Sequence, residues 1–574
     1  MSMNSLRNVS LLAAVAAVSL PSLARAVGFY YGGYDANAVP PVMGTPDAPV
    51  SGPFVVPGQV TFYSDAAGTM PNAAGTGFVT ASNTSAELVL GGAATATAYT
   101  AETPTTSSTI AIRSIILLAN NPGTNTLKLG FTGGGRYSLA TGGTGTVNTV
   151  GTGTPTIIGP GIYQGGSTNW DFVNGGSANS PIRIQNSVAI SGPGSGNINI
   201  PWTIASNGTF SLGVNLTGGS TLALGGTNDF GGGNNTSSFT NFTLTAGTVN
   251  FTSLRPFGSA TNQVRLNGGT IISTGTTAAT STVSTVYTGI GAAGGTPGYV
   301  LGGTVTLGGT NSFSLGTSQF NLSASRTLIA NNTGPTGATI AGVVADGGNA
   351  YGLTVGAGST GTLTLTGANT YTGATVVQAG KLVLGTAAQA PVLTGAGGAD
   401  VQGGLLVLNY SDTSNATALR GLLALSYTAT GGVMTSGQIR SSLATAKRGI
   451  GYVDDAAGAT TIRSTLFGDA DLDGGVSIND FNALAGSFGQ ASGKFWANGD
   501  FDYDGGVSIN DFNLLAGNFG QSLPATAEAW AGLLAFAAAN NDLEAFAAIT
   551  GVPEPTGVGL IAAGLTLGLR RRRA

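Results

Sequence analysis

Residues 361–385 read GTLTLTGANTYTGATVVQAGKLVLG and carry the clearest structural pattern in this chain of 574 residues. Leu363 and Leu365 alternate with threonines, which is the period-2 pattern of a strand with one buried face. Two more short strands are predicted at residues 375–378 and 381–384, because glycine and asparagine between the strands permit tight turns. The stretch therefore predicts three short strands joined by turns.

Part of this unit recurs along the chain. The sequences LGGTNDF at 224–230 and LGGTNSF at 307–313 match LTGANTY at 365–371. One unit has too little apolar surface to fold alone, so we expect the units to stack around one continuous core. The predicted fold class is mainly β, a parallel β-helix or β-solenoid over residues 27–399. The stretch 361–385 resembles the autotransporter-associated β-strand repeat, which implies a solenoid displayed outside the cell as a passenger.

The composition excludes several classes of function. The chain contains no histidine and no cysteine. This excludes catalysis by histidine, Ser-His-Asp and Cys-His triads, zinc sites built on these residues, and disulfide bonds. Only 8% of the residues are charged, against about 25% in ordinary globular proteins. The formal net charge of −4 disfavours nucleic acid as a partner.

An enzyme built on a parallel β-helix would need clustered charged side chains on one face. Between residues 27 and 385 acidic residues are sparse, and Asp171, Asp229 and Asp346 are far apart in sequence. We interpret these three as surface or turn residues, although stacking of the coils would permit a cluster. A set of aromatic residues is interpreted as core or cap, with stacking on sugar rings as the alternative. The aromatic residues are Tyr30, Tyr31, Tyr34, Trp170 and Phe172.

A 13-residue pattern occurs twice near the C-terminal end, as GDADLDGGVSIND at 468–480 and GDFDYDGGVSIND at 499–511. Each copy places carboxylates at positions 1, 3, 5 and 12 of a loop and glycine at position 6, the ligand spacing of an EF-hand calcium loop. Oxygen ligands at this spacing suit Ca²⁺ rather than zinc or copper. The predicted ligands, including a carbonyl oxygen and a serine in each loop, are Asp469, Asp471, Asp473, Gly475, Ser477 and Asp480, and then Asp500, Asp502, Asp504, Gly506, Ser508 and Asp511.

The two loops are expected to fold as one small, helical, EF-hand-like module. Helices are predicted at residues 481–488 and 512–519, and Val476 and Val507 are expected to pair as short strands. Residues 466–522 resemble a type I dockerin, which implies a calcium-linked fold and docking onto a cohesin-like partner. Many dockerins carry two small hydroxyl residues just before the last ligand, where both loops of this chain have Ile-Asn. An internal structural brace is therefore the alternative role of the module.

Residues 400–465 differ in composition from the solenoid and are predicted to form a small α+β cap. A strand is expected at 405–410 and helices at 418–426 and 436–445, the second with Ser436 as its N-cap. Such a cap would end the solenoid and block pairing at its edge. A binding patch is the alternative, because the region concentrates positive charge. The basic residues are Arg420, Arg440, Lys447 and Arg448.

Both ends of the chain have sequence patterns that predict targeting signals. Residues 1–26 have the pattern of a secretory signal peptide, with an apolar core at 11–20 and an Ala-Arg-Ala cleavage site. Residues 552–574 combine Val-Pro-Glu-Pro, a short apolar segment and four arginines, which predicts transient membrane contact. This tail resembles the PEP-CTERM sorting signal, which implies removal by an exosortase-type enzyme; an ordinary anchor is the alternative. Residues 523–551 are predicted to form an alanine-rich helical spacer.

The sequence as a whole favours an exported structural or adhesive protein rather than an enzyme. We expect it to be secreted and held at the cell surface or outer membrane of a Gram-negative-type bacterium. The alternative is a dockerin-borne, glycan-binding component of a surface polysaccharide-processing assembly. A polysaccharide lyase or hydrolase is the third interpretation, and a carboxylate cluster on one solenoid face would favour it.

Overall fold

The computed structural model describes residues 298–455 and 458–523, together with shorter segments nearer the N-terminus. The shorter segments are 28–31, 87–90, 100–102, 109–112, 114–117, 124–129, 136–139, 147–148, 156–157, 161–165, 169–174, 182–184, 187–201, 204–206, 211–225, 228, 240–251, 257, 263–274 and 279–280. The predicted signal peptide at 1–26, the spacer from residue 524 and the sorting tail at 552–574 lie outside the described residues, as do Tyr34 and Asp229.

Short strands dominate the described part of the chain. Up to residue 280 the strands are β1 (Gly28–Tyr31), β2 (Glu87–Leu90), β3 (Thr100–Glu102), β4 (Thr109–Ile112), β5 (Ser114–Leu117), β6 (Asn125–Leu129), β7 (Arg136–Leu139), β8 (Val147–Asn148), β9 (Thr156–Ile157), β10 (Gly161–Gln164), β11 (Trp170–Asn174), β12 (Ile182–Ile184), β13 (Val188–Gly192), β14 (Ile198–Ile200), β15 (Ile204–Ser206), β16 (Leu212–Leu216), β17 (Thr221–Leu224), β18 (Thr240–Ala246), β19 (Thr248–Phe251), β20 (Gln263–Leu266), β21 (Thr270–Ser273) and β22 (Ala279–Thr280).

The later strands are β23 (Gly298–Leu301), β24 (Val305–Leu307), β25 (Phe313–Ser314), β26 (Phe320–Leu322), β27 (Arg326–Ala330), β28 (Ala338–Ile340), β29 (Val344–Ala345), β30 (Leu353–Val355), β31 (Thr362–Leu365), β32 (Thr375–Val377), β33 (Lys381–Leu384), β34 (Ala399–Val401), β35 (Leu405–Asn409), β36 (Ile439–Arg440), β37 (Arg448–Asp454) and β38 (Ala459–Leu466). The described helices are α1 (Ala390–Leu393), α2 (Ala416–Ala429), α3 (Ile478–Ala485) and α4 (Ile509–Ala516), with 3₁₀ turns at Thr386–Ala388 and Trp496–Asn498. None of these helices is long and apolar enough to cross a bilayer.

Three long sheets run along the molecule. In the described part of the chain the first has eleven strands, the second thirteen and the third eight. One coil contributes β23, β24 and β25 to the three sheets in turn, and the next coil contributes β26, β27 and β28. Each of these strands pairs in parallel with the strand one coil earlier. The mainly β, parallel solenoid predicted from the sequence is therefore confirmed.

Alternation of side chains builds one core inside the coils. In β16, Leu212, Val214 and Leu216 are buried while the residues between them face outward. In β31, Leu363 and Leu365 are fully buried, as the alternation with threonine predicts. The buried apolar side chains of successive coils join into one hydrophobic cluster. Because each such side chain contributes about 1.5–3 kcal/mol on burial, stacking gives the coils a stability that one coil alone would not have.

The asparagine that recurs in the repeated heptads has a structural role. Asn228 and Asn369 occupy the same place in the heptad and are both buried. Asn228 Oδ1 accepts a hydrogen bond from Ile204 N at 2.8 Å, and Asn369 Oδ1 accepts one from Val344 N at 2.9 Å. The donors lie 24 and 25 residues earlier. The side chain therefore satisfies a buried backbone group where two coils meet.

The solenoid continues beyond residue 399 and then ends in a cap. β34 and β36 extend the second sheet, and β35 extends the third sheet in parallel with β33. β38 pairs with β35 in antiparallel, and β37 pairs with β38, so a hairpin covers the last parallel edge. The strand predicted at 405–410 and the helix predicted at 418–426 correspond to β35 and α2.

The predicted helix at 436–445 is wrong. Residues Ile439 and Arg440 form β36, and they pair with Ala399 and Asp400 of β34. Gly437 has a φ of 111°, which lies outside the range of an α-helix. Sheet pairing with a strand from an earlier coil therefore outweighs the local helical preference of these residues.

Candidate metal centre

The two predicted calcium loops have closely similar structures. Each leads into a short helix, α3 or α4, whose N-cap is Ser477 or Ser508. The serine and the aspartate three residues later form a capping box, which satisfies the first backbone amides of the helix. Because the capping box lies inside the loop, both helices begin and end three residues earlier than predicted.

The structure brings together the carboxylates at positions 1, 3 and 5 of each loop. In the first loop each aspartate offers one oxygen, and these oxygens lie within 4.8 Å of one another. The second loop has the equivalent group. Within the part of the chain that the structure describes, no other group of three acidic side chains has this geometry. The two groups are Asp469, Asp471 and Asp473, and Asp500, Asp502 and Asp504.

The aspartates at position 1 are buried, and only one oxygen of each is satisfied. Asp469 Oδ2 accepts hydrogen bonds from Gly474 N at 3.0 Å and from Thr465 Oγ1. Asp500 Oδ2 accepts one from Gly505 N at 3.1 Å. Oδ1 of Asp469 and Oδ1 of Asp500 are buried and have no hydrogen-bond partner among the described residues. A buried carboxylate oxygen without a partner is costly unless a cation lies against it.

The electrostatics of both loops also favour a bound cation. Burial, together with the charges of Asp473 and Asp480, raises the pKa of Asp469 to about 7. Burial and neighbouring carboxylates raise the pKa of Asp500 to about 7 and that of Asp502 to about 6. Ionised carboxylates packed this closely repel one another, and a divalent cation among them removes the repulsion. The donor set consists of oxygen atoms and fits Ca²⁺.

Asp480 and Asp511, the predicted ligands at position 12, are not part of the groups of three. Asp480 Oδ1 accepts a hydrogen bond from Ala470 N at 2.7 Å, and Oδ2 accepts one from Ser477 N at 2.8 Å. Asp511 makes the same two kinds of bond in the second loop. These bonds tie the start of each loop to its helix. Each of these carboxylate oxygens also accepts a second bond, for example Asp480 Oδ2 from Ser477 Oγ at 3.0 Å and Asp511 Oδ1 from Asp502 N at 3.1 Å.

Glycines at positions 6 and 7 shape the loops. Gly474 and Gly505 have φ of 97° and 90°, in the left-handed region that the sharp turn at position 6 requires. Gly475 N and Gly506 N each donate a hydrogen bond of 2.7 Å to the carboxylate at position 5. The roles of the Gly475 and Gly506 carbonyl oxygens, and of the two serines, as ligands stay predictions.

The predicted pairing between Val476 and Val507 is wrong. Val476 N donates to Gln521 O at 2.9 Å, and Gly520 N donates to Val476 O at 2.8 Å. Val507 makes the equivalent bonds with the residues that follow α3. The chain after each helix turns back onto the opposite loop, and its backbone groups occupy the place where the other valine was expected. The two halves of the module are therefore cross-braced.

Sequence reasoning missed the residues at position 4 of the loops. Leu472 and Tyr503 have left-handed backbones, with φ of 61° and 64°, which is uncommon for residues other than glycine. Tyr503 is buried and Leu472 packs against the core. The available signal was an apolar side chain at the same place between aspartates in both loops.

Among the solenoid residues that the structure describes, Asp171 and Asp346 are not brought together. Asp171 lies in β11 and accepts a hydrogen bond from Asn199 Nδ2 at 3.0 Å. Asp346 follows β29 in a distant coil and accepts hydrogen bonds from the backbone of its own turn. Phe172, also in β11, is a fully buried core residue. The two aspartates therefore hold parts of the solenoid together through hydrogen bonds, and Phe172 packs in its core.

A protein-family model, described as passenger-associated-transport-repeat, matches residues 353–384. The matched segment runs from the start of β30 to the end of β33 and contains most of the repeat unit at 361–385. The match agrees with the resemblance to the autotransporter-associated repeat, and together with the solenoid it suggests a surface-exposed passenger. No curated protein matches the chain, and no solved structure does.

Proposed function

We propose that this protein is exported and displayed at the cell surface, where its solenoid has a structural or adhesive role and no enzymatic one. The observation that carries the proposal is the passenger-associated-transport repeat at residues 353–384, within a continuous parallel solenoid. Stacked coils provide a long, regular surface that a small globular domain does not offer. Asp171 and Asp346 lie in separate coils and accept hydrogen bonds from neighbouring backbone and side-chain groups, which supports a role other than catalysis.

The second part of the proposal is that the module at residues 466–522 has a dockerin-like fold and binds one Ca²⁺ in each loop. The carboxylates at positions 1, 3, 5 and 12, the carbonyl oxygen at position 7 and the serine at position 9 would hold the ion. The main support is the buried Oδ1 of Asp469 and of Asp500, each within a group of three carboxylates. The bound ion would supply rigidity, because it links residues spread over the whole loop.

The route to the surface depends on the terminal segments. The predicted signal peptide at 1–26 would direct export. An exosortase-type enzyme would recognise the tail at 552–574 during transient membrane contact. The mature protein would then lie outside the cell, at the surface or outer membrane of a Gram-negative-type bacterium, without a nucleic-acid partner.

A polar groove on the solenoid favours a second function, glycan binding within a surface polysaccharide-processing assembly. The groove has a volume of about 390 Å³ and lies on the second sheet. Amide, hydroxyl and carboxylate groups line the groove, and such groups are suitable hydrogen-bond partners for sugar hydroxyls. If the protein has this second function, the calcium module would dock onto a cohesin-like partner. The polar residues that line the groove include Asn169, Asp171, Asn197, Asn199, Thr221 and Asn250.

Surface display is tested by labelling intact cells with an antibody raised against residues 298–455. We expect intact and permeabilised cells to label equally, and labelling to disappear from the surface when residues 1–26 are deleted. Deletion of residues 552–574 should release the protein into the medium. Labelling that requires permeabilisation would refute the proposal.

Calorimetry on the purified chain tests the metal sites. We expect two Ca²⁺ ions to bind, and the double variant Asp469→Asn, Asp500→Asn to bind at least about tenfold more weakly, because each loop loses a charged ligand. The control is Asp412→Asn, since Asp412 is exposed and distant from both loops in sequence. Unchanged binding by the double variant would contradict the assignment of the ligands.

Binding to purified surface polysaccharide separates the two functions. Loss of binding in Asn199→Ala, with binding retained in Thr354→Ala elsewhere on the second sheet, would favour the glycan-binding function. Absence of binding by the wild-type chain would favour the structural role.

A further inference from the structure

The side chain at position 4 of the second calcium loop enters the cap of the solenoid. Tyr503 is 2% exposed, and its hydroxyl donates to Ile450 O at 2.8 Å and accepts from Ile450 N at 3.3 Å. Ile450 lies in β37, the outer strand of the hairpin that covers the last parallel edge. The Tyr503 ring also stacks on Trp496, with 5.6 Å between the ring centroids. A loop that carries predicted ligands therefore contacts the hairpin through a buried aromatic side chain.

Position 4 of the first loop makes a matching contact. Leu472 packs so closely beside Gly451 of β37 that a Cβ atom at Gly451 would lie 2.4 Å from Leu472 Cδ2. The same Cβ atom would lie 2.7 Å from Trp496 Nε1. Trp496 is fully buried, and its Nε1 donates to Asp469 O at 2.5 Å. The glycine in β37 therefore leaves the space that the first loop fills.

Two arginines of the cap lie against the loops as well. Arg463 of β38 donates to Leu472 O at 2.6 Å. A Cβ atom at Gly474 would lie 3.1 Å from Arg463 Nη2. Arg420 of α2 holds the equivalent place on the second loop, where a Cβ atom at Gly505 would lie 3.0 Å from its Nη1. Each guanidinium group therefore covers the glycine at position 6 of one loop.

Strand β38 also supplies a hydroxyl group to a predicted ligand. Thr465 Oγ1 donates to Asp469 Oδ2, and both residues are buried. β38 is the strand that pairs with β35 over five residues at the end of the solenoid. The position of β38 and the orientation of the Asp469 carboxylate therefore depend on each other.

We infer that calcium binding in the loops and closure of the solenoid edge form one coupled equilibrium. An ion that holds positions 3 and 5 together also fixes position 4 between them, and so keeps Leu472 and Tyr503 in the cap. The hairpin of β37 and β38 then stays on β35. Loss of the ions frees the loops, and the backbone groups of β35 become available for pairing with another chain. The inference rests on the calcium binding proposed above.

Hydrogen exchange of the whole chain, in Ca²⁺ and in a chelator, tests the coupling. At a Ca²⁺ concentration about 100 times the dissociation constant, each site should slow exchange through opening of the hairpin by about 100-fold. We expect this slowing in β35, β37 and β38. Exchange in β24 and β27, in the middle of the solenoid, is the internal control and should change by less than about twofold.

The double variant Leu472→Gly, Tyr503→Gly removes both side chains, while glycine suits the left-handed backbone. We expect calorimetry to show two bound Ca²⁺ ions, and the slowing of exchange in the hairpin to fall below about fivefold. Gly451→Ala is a second variant, because it fills the space from the β37 side and leaves both loops unchanged. The matched control is Leu425→Ala, since Leu425 is 70% exposed on α2.

The outcomes separate the two proposals. If the wild-type chain binds no Ca²⁺, the proposed sites and the coupling both fail. If it binds Ca²⁺ but the hairpin exchanges equally fast in the chelator, the coupling alone fails. If the double variant and Gly451→Ala both keep the wild-type slowing, position 4 does not transmit the effect and the inference is overturned.

Discussion

Replacement of Asp346 by alanine is expected to destabilise the solenoid by about 2–4 kcal/mol at neutral pH. The buried carboxylate accepts hydrogen bonds from Gly348 N at 2.9 Å and Tyr351 N at 3.2 Å in its own turn. It also accepts bonds from Thr372 N at 2.9 Å and from Thr372 Oγ1 at 2.7 Å. Because Thr372 belongs to the repeat that follows, this side chain closes one turn and fastens it to the next coil.

The magnitude follows from the number of these bonds and from their exposure. A hydrogen bond to a charged group contributes about 1.5–3 kcal/mol, and a buried donor without a partner costs about 1–3 kcal/mol. Asp346 is 3% exposed, but Gly348 and Thr372 are exposed, so water can replace the bonds to them in the variant. The expected loss therefore lies well below the sum of four charged hydrogen bonds.

The effect should depend on pH in a defined direction. Burial raises the pKa of Asp346, but hydrogen bonds from Thr372, Gly348 and Tyr351 outweigh burial and hold the pKa below its ordinary value. A carboxylate with a lowered pKa in the folded state stabilises the fold fully at a pH above its unfolded-state pKa of about 3.9. This stabilisation is lost as the pH falls through the folded-state pKa. The difference in stability between the wild type and Asp346→Asn should therefore shrink in acid.

Urea denaturation followed by circular dichroism, at neutral pH and in acid, measures both effects. Hydrogen exchange over residues 344–372 shows whether the loss is local, since stacked coils can open separately. The control is Asp412→Ala at an exposed site, which should change stability by less than about 0.5 kcal/mol. An equal loss of stability in Asp346→Ala and Asp412→Ala would refute the reasoning. So would a difference in stability between the wild type and Asp346→Asn that grows in acid.

Two further substitutions test other parts of the structure. Asn369→Ala leaves Val344 N without its buried partner, and we expect it to lower the free energy of unfolding in urea by about 1–3 kcal/mol. The control Asn349→Ala, at an exposed site, should lower it by less than about 0.5 kcal/mol. Equal losses would count against the proposed contact between coils. Gly474→Ala should lower the thermal midpoint, because φ is 97° and the new Cβ atom would meet an arginine. Gly421→Ala is the control, and it should raise the thermal midpoint because Gly421 lies in α2 with open space around it. A higher midpoint for Gly474→Ala than for Gly421→Ala would show that backbone strain at position 6 is not decisive.

The parts of the fold that could be predicted from the sequence depend on local geometry. Leu363 and Leu365 are buried because alternate side chains of any strand face one side, and that pattern is visible in the sequence. The carboxylates at positions 1, 3 and 5 approach one another because a sharp turn at glycine brings alternate residues together. The recurring asparagine marked the repeat, although its bond to the previous coil was visible only in the structure.

The parts that could not be predicted depend on segments that meet only after folding. Ser436 has the features of an N-cap, yet the residues that follow join β34, which lies in an earlier coil. The partner of Val476 is set by how the chain returns after α4, and this depends on the packing of the two helices. The place of Tyr503 depends on β37, and no spacing in the sequence relates a loop residue to that strand.

The parallel pairing of the coils also determines how the protein bears a mechanical load. The strands run across the long axis, so the hydrogen bonds between coils point along it. A force that pulls the two ends apart acts on the coil contacts in series, and the weakest contact sets the strength whatever the number of coils. In a protein held at its C-terminal end, the load enters through the last coil, and the pairing of that coil is one contact of this series. That coil is the one that β38 closes by pairing with β35 over five residues.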